Sequence, residues 1–343
     1  MMTHLMASKR VWIGMMFLAL LLSASLSYPL YEKHLPQPDR FLYNEKQELI
    51  AKAPYTPLQA PPFGSDRLGV PLLYKILEGA KYTIGFAIFV SVFRIIFGAA
   101  TGILLSMYAK RLKGITKGIS QSFYNIPTIF MAYILIVPVY ITLGINDPVP
   151  PTQWIIILFQ LSVAVGVALP ALTVFIMNEV DEHSKQEYII SAQLMGGSKW
   201  YIIRTHIRLF LKDKLFILFM QHVVQSMILF AHLGLLQCFI GGTRDVEMDF
   251  GEYKSVSLTS EWSGLIGIDR YEYNLAPWIV LGPMFAFAIT IFFLNLIAAG
   301  VKDAMEKRVI VITKSIKQPK TPYKKHEAFQ FAAASVQSKT ADS

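Results

Sequence analysis

Six stretches of this chain are long, apolar and nearly free of charge, and no other feature narrows its possible folds so far. They run over 11–31, 82–109, 123–143, 154–177, 215–240 and 276–301. Each is near the ~20 residues that an α-helix needs to cross a bilayer. A mean hydropathy of +0.44, with 54% hydrophobic and only 16% charged residues, lies well outside the range of soluble domains. The expected fold class is an all-α polytopic membrane protein with six transmembrane helices.

Lys9 and Arg10 precede the first run. A signal peptide would share that basic start, but this run exceeds the usual ~7–15 apolar residues and ends without a small-x-small site, so a retained first helix is preferred. Residues 32–81 are polar and rich in proline, including Pro36, Pro38, Pro54, Pro57, Pro61 and Pro62. They are too polar for lipid and too few for a confident independent domain. Pro127 and Pro138 are expected to kink the third span, and Pro170 lies inside the fourth.

Three polar residues inside the spans are pathway candidates. Arg94 is the single charge of the second span, and an intramembrane Arg normally turns toward protein or water. Gln225 and His232 sit in the fifth, with Gln221 and His222. Ten residues separate the two histidines, which at about 100° per residue puts them on different faces. No acidic residue shares that span, so hydrogen bonding or the lining of a wet cavity is expected and no metal site. The single cysteine, Cys238, forms no intramolecular disulfide and reads as core.

The charges bear on orientation. With both termini inside, 21 Lys and Arg fall inside and 10 outside, against 9 and 14 acidic residues, which gives +12 inside and −4 outside. The positive-inside rule supports that arrangement. The net +9 thus reads as topology and contact with membrane lipid, and nucleic acid is not an expected partner.

Between the fourth and fifth spans lies a charged segment, 181–213. Ser184 and Glu187 have the spacing of a capping box, and Tyr188, Ile189, Ala192 and Met195 recur at helical intervals. Gly196-Gly197 break that helix, and Ser198 can cap a second one carrying Trp200, Tyr201, Ile202, Ile203 and Ile207. A helix-turn-helix outside the bilayer can be a lipid-facing strut or a knob for another protein's groove.

This segment resembles the cytoplasmic coupling loop of permease subunits in binding-protein-dependent ABC importers. Glu187, then Ala192 and Gly196 in Ala-x-x-x-Gly spacing, and Arg204 with His206 and Ile207 carry the likeness. One of the family's two alanines is absent, and its loop-closing Leu-Pro falls on Arg208-Leu209. Before the second span, Gly64, Asp66, Leu68 and Gly69, followed by Leu72, Leu73, Gly79 and Ala80, resemble the C-type subunits of the dipeptide and oligopeptide branch, with Val70-Pro71 in place of Arg-Asp. Leu233-Gly234-Leu235, Glu261-Trp262, Gly264-Leu265, Ala276-Pro277-Trp278, Pro283, Asn295-Leu296, Asp303-Ala304 and Arg308 follow the same family's order. The loop before Glu261 is more acidic here, with Asp245, Glu247, Asp249 and Glu252; it is a solvated loop or a dock for an external binding protein.

The resemblance implies the transmembrane domain of a type I ABC importer. Its parts would be a cytoplasmic N-terminus at 1–10, a first helix at 11–31, an extracytoplasmic segment at 32–81, a permease core at 82–301 and a cytoplasmic, partly disordered tail at 302–343. Glu187, Ala192, Gly196, Gly197, Ser198, Arg204 and His206 would couple to an ATPase. Implied partners are a second homologous permease subunit, two cytoplasmic ATPase subunits and an extracytoplasmic solute-binding protein, in a bacterial cytoplasmic membrane with both termini inside. The chain has no GxxxxGK[ST] loop, nor HExxH, CxxC or GxSxG, so no catalysis and no cofactor are expected in it. ATP and magnesium would belong to the partner subunits. Peptides are the expected cargo. An ATP-independent secondary transporter or channel is the alternative, but it would want intramembrane acids or an inverted repeat, and neither is evident. A scaffold or sensor that has lost transport is a third reading.

Overall fold

The structure is a computed structural model that describes residues 8–32, 40–43, 48–143, 152–247 and 253–317. Helix α1 (Lys9–Tyr31) is followed by a small antiparallel hairpin, β1 (Phe41–Tyr43) with β2 (Leu49–Lys52). Then come α2 (Leu72–Met107), α3 (Lys113–Tyr124), α4 (Thr128–Leu143), α5 (Thr152–Gly166), α6 (Leu169–Ser184) and α7 (Glu187–Leu194). A short α8 (Lys199–Ile202) passes through a π-helical turn, Ile203–Ile207, into α9 (Arg208–Leu235). A second hairpin, β3 (Thr243–Glu247) with β4 (Tyr253–Ser257), then leads to α10 (Trp262–Asp269) and α11 (Trp278–Lys317).

Four helical stretches are long and apolar enough to span a bilayer singly: Lys9–Tyr31, Leu72–Met107, Lys199–Leu235 and Trp278–Ala304. Two bent pairs, α3 with α4 and α5 with α6, complete six spans when each pair counts as one. The bends sit at prolines. Pro127 lies in the elbow between α3 and α4, which turns by 87°. It therefore ends one helix before the next begins, where a kink within a single span was expected. A proline supplies no N–H and pushes the residue before it out of the helical region. Pro138 stays inside α4. Pro170, in the first turn of α6, accompanies a 41° break from α5.

Helix extends beyond the expected limits at several spans. The second starts at Leu72, ahead of Tyr82, and the sixth runs on past Val301. The fifth begins far earlier, because helix is continuous from Lys199. Without a proline at Arg208-Leu209, nothing removes a backbone donor there, and helix runs on through the π-helical turn Ile203–Ile207. Pro36, Pro38, Asp249, Glu252 and the tail 318–343 lie outside the described residues; Asp245 and Glu247 are in β3.

Small residues set the helix packing. On α2, Gly98 and Gly102 lie one turn apart against α6, where a Cβ would fall 2.6 Å from Leu172 or 2.9 Å from Ile176. Beside them the Thr101 and Thr173 hydroxyls share a hydrogen bond of 2.8 Å. This is the close approach that small-xxx-small spacing allows in lipid, where apolar area alone gives helices no reason to associate. α1 joins through Ser25, whose Oγ accepts from Lys81 N at 3.0 Å, and through Phe17 stacked on Phe293 at 4.0 Å. Arg10 pairs with Asp303 at 2.7 Å.

At the end holding the two hairpins, α10 is driven into the bundle. Trp262 is fully buried, its indole donating to Ile76 O at 2.8 Å and its backbone N–H to Thr83 Oγ1 at 3.0 Å. Glu261 caps α10, accepting from Gly264 N at 2.6 Å and Ser263 N at 2.9 Å. Burial pushes its carboxyl up to about 7, against hydrogen bonds from Ser263, Gly264 and Ile240 that favour the charged form. Arg67 reaches Glu272 at 2.6 Å, and Lys254 reaches Asp269 at 2.9 Å.

Candidate functional site

Two places in this scaffold could carry function, one at the end opposite the hairpins and one inside the bundle. The first is the 181–213 segment. α7 and α8 are joined at Gly196, which holds φ +89° with nothing near its Cα side, and Ser198 Oγ caps α8 by accepting from Tyr201 N at 3.2 Å. The expected capping box does not form. Ser184 ends α6 and bonds back to Val180 O at 2.7 Å, and Gln186 precedes α7. A hydroxyl in a last helical turn is drawn to its own i−4 carbonyl, so it does not reach the next helix.

One face of the segment is rooted. Ile189, Ile202 and Ile207 are buried with Met107, Leu172, Ile176, Val180 and Leu211, a core that ties α7 and α8 to the ends of α2, α6 and α9. Polar bonds back it up: Asp181 accepts from Ser106 Oγ and Lys113 Nζ, each at 2.5 Å, so it clamps α6 to both α2 and α3. The His183 ring stacks on Phe210 at 3.7 Å and bonds Tyr188 Oη at 2.9 Å, while His206 lies between Tyr188 and Tyr201. Of the expected coupling residues, Ala192 is buried at the root and Glu187, Gly196, Ser198 and Arg204 are exposed. Gly197 packs near Ala192 O, and His206 is half-buried.

The opposite face has no partner among the described residues. Leu194 and Met195 are each 83% exposed and Trp200 65%. Helical spacing alone does not separate these side chains from Ile189, and Met195 was expected on the same stripe. Leu194 and Met195, at the end of α7 just before the Gly196 turn, point outward and leave an apolar tip. His183, Phe210, Asp181 and Lys113 escaped notice in the sequence because they act through contacts between separate elements.

The second place is a cavity of about 980 Å3 between the α3–α4 elbow, the α5–α6 break and α9. Arg94, Gln225 and His232 all line it, together with His222. The two histidines thus line one chamber, which their spacing alone does not show. Ten residues amount to a net turn of only about 80° around a helix, which is the width of a wall. Arg94 is 2% exposed and donates from Nε and Nη2 to Ala164 O, at 3.1 and 2.6 Å. That carbonyl lies at the end of α5, where Ala168 N bonds to Val165 O. Arg94 therefore supplies the donor that the broken helix lacks. No group of three or more potential metal ligands occurs among the described residues.

The motif ahead of α2 forms a tight turn. Asp66 is buried, its Oδ1 accepting from Leu68 N and Val70 N at 2.9 Å, and its Oδ2 pairing with Lys75. Gly64 and Gly69 take positive φ, and Gly64 abuts the Trp278 ring at the start of α11. This motif anchors α2 to α11 and is remote from both the cavity lining and the coupling end.

An apolar-tipped element rooted in a polytopic bundle is what a force-transmitting membrane subunit would need. Residues 94–311 match the binding-protein-dependent transport system inner membrane component family. The chain belongs to that family. It is thus a multi-pass inner-membrane permease component of ABC transport systems, a family of non-catalytic subunits. It is 25% identical over 246 residues to the peptide transport system permease protein SapC of Haemophilus influenzae, covering 71% of this chain and 73% of that one. It is 23% identical to the glutathione transport system permease protein GsiD of Pectobacterium atrosepticum and to the dipeptide transport system permease protein DppC of Alkalihalophilus pseudofirmus, covering 72% of each chain in both cases.

Proposed function

We propose that this permease subunit forms half of the translocation pathway of an ATP-driven peptide importer, and that its apolar tip at Leu194, Met195 and Trp200 is the grip of a cytoplasmic ATPase subunit. The observation that carries the reading is the two-sidedness of the 181–213 segment: fixed on its inner face to α2, α6 and α9, bare and apolar on its outer face. Such a tip is a hot-spot surface, and force applied there reaches three spans at once. A second homologous permease subunit completes the pathway, two ATPase subunits hold ATP and magnesium, and a solute-binding protein delivers cargo from outside. Both termini and the coupling segment lie in the cytoplasm, in keeping with the charge balance of +12 inside and −4 outside. The peptide class follows the names of the relatives. Closure of the ATPase pair would then bias the bundle between outward-open and inward-open states.

The test is uptake of labelled dialanine by proteoliposomes containing the full complex and its binding protein. ATP-dependent accumulation that vanishes with Leu194→Asp plus Met195→Asp is expected. Accumulation that ignores ATP and follows an ion gradient would put a secondary transporter in its place.

A further inference from the structure

The cavity beside the α5–α6 break has a one-sided chemistry. Its charged and titratable lining residues are Arg94, Lys117, His222 and His232, and no Asp or Glu lines it among the described residues. Arg94 spends its two bonds on Ala164 O, leaving three of the five N–H groups of a guanidinium, and it has no carboxylate partner among the described residues. A buried cation without a counter-ion is costly, and such groups inside a membrane mark places where a ligand or ion supplies the missing charge. His222 is 8% exposed and its Nδ1 has no hydrogen-bond partner among the described residues, a second buried polar group left open at the same cavity. His232, one helical face away, holds its Nδ1 2.7 Å from Ile228 O. The rest of the wall is mostly apolar, with Phe123, Ile129 and Leu229, interrupted by neutral polar groups such as Asn178 and Gln225, and the volume of about 980 Å3 is at the upper end of small-molecule sites.

We infer that this cavity is a carboxylate-reading subsite of the pathway, in which Arg94 and His222 receive the negatively charged end of the cargo while the apolar wall accommodates its side chains. The inference deepens the importer reading and rests on it for the cargo being a peptide. Arg94 also holds the α5–α6 break together, so its removal would confound assembly with recognition. His222 and Gln225 are the positions to change.

The experiment compares uptake of dialanine with uptake of its C-terminal amide, for the wild-type complex and for His222→Glu. The binding protein is common to both, so its own preference cancels when the acid-to-amide ratios are divided. A carboxylate placed at His222 is expected to lower that ratio at least about tenfold, the effect of about 1.4 kcal/mol of added repulsion. A ratio unchanged within twofold overturns the subsite. Should His222→Glu fail to assemble, Gln225→Glu puts the same charge at an exposed position of the same wall, with the same expectation and the same overturning result. If wild-type vesicles take up neither compound, the importer reading fails on its own account. The cavity is then read by the thermal-unfolding midpoint of the purified complex in millimolar N-acetylalanine against N-acetylalaninamide. A rise with the acid alone, lost in the glutamate variant, sustains the subsite, and equal midpoints overturn it.

Discussion

Glycine shapes both ends of this molecule, to opposite effect. At the hairpin end, Gly79, Gly234 and Gly267 let α10 press its backbone onto α2 and α9: a Cβ on Gly79 would fall 1.9 Å from Ser260 O, and on Gly234 2.4 Å from Ser263 O. At the coupling end, Gly196 has nothing within 4 Å and serves only to turn the chain. The first end is closed, with Trp262 buried and both of its N–H groups bonded. The second end is open, with its largest apolar side chains in solvent. A part that must stay put is made by removing side chains until backbones touch; a part that must meet another protein is made by turning side chains outward.

Breaking the closed end should have the largest effect. Gly79→Val collides with backbone rather than with a movable side chain, so its cost should exceed the about 1–3 kcal/mol of ordinary overpacking. The expected outcome is loss of a monodisperse complex on size-exclusion chromatography. Recovery of folded complex with an unchanged unfolding midpoint would mean that α10 is not docked as described.

Leu194→Asp plus Met195→Asp should do the reverse, leaving the subunit's thermal midpoint nearly unchanged while releasing the ATPase subunits. Loss of a central apolar anchor costs about 2 kcal/mol or more, which weakens association roughly thirtyfold. Retention of ATPase on a tagged subunit, measured by pull-down across a concentration series, checks it. If retention is equal to wild type, the grip lies elsewhere on the segment.

Much of this contrast was legible in the sequence, for identifiable reasons. The apolar runs and the Gly196-Gly197 break are local signals, and so is the Ser198 cap, whose bond spans three residues. The elbow at Pro127 and the inward drive of α10 were not legible, since a proline marks a discontinuity without giving its angle, and the docking of Trp262 depends on Ile76 and Thr83, far away in sequence. That His222 and His232 share a cavity was not legible from their spacing, because the wall is as wide as the turn between them. Arg94 was flagged as costly, but the carbonyl it serves, Ala164, appears only when the α5–α6 break is seen.

A smaller effect should come from pH at the closed end. Glu261 is raised to about 7 in the folded chain against an ordinary 4.5, so the folded state holds the extra proton. Its contribution to stability is full below pH 4.5 and is lost as pH rises toward 7, with a slope of at most about 1.4 kcal/mol per pH unit. The unfolding midpoint should therefore fall between pH 5 and pH 8, and Glu261→Gln, which keeps an acceptor for Ser263 N and Gly264 N, should flatten that fall. An identical pH profile in the glutamine variant would place the dependence on another group.

The smallest effect should come from the turn itself, and it tells whether Gly196 is chosen for space or for conformation. The open surroundings mean that a side chain meets no steric obstacle, yet φ +89° is reached by L-residues only with strain. Gly196→Ala should cost about 1–2 kcal/mol. Asn, which bonds locally and tolerates left-handed backbone, should cost less, and a β-branched Val more. The series Gly, Asn, Ala, Val is thus ordered by backbone preference and not by volume, since Ala is smaller than Asn. Unfolding midpoints of the four proteins, with ATPase stimulation measured alongside, read that order directly. Were Ala milder than Asn, crowding against the partner would govern the position, and the open end would be more closely fitted in the assembled transporter than in the isolated subunit.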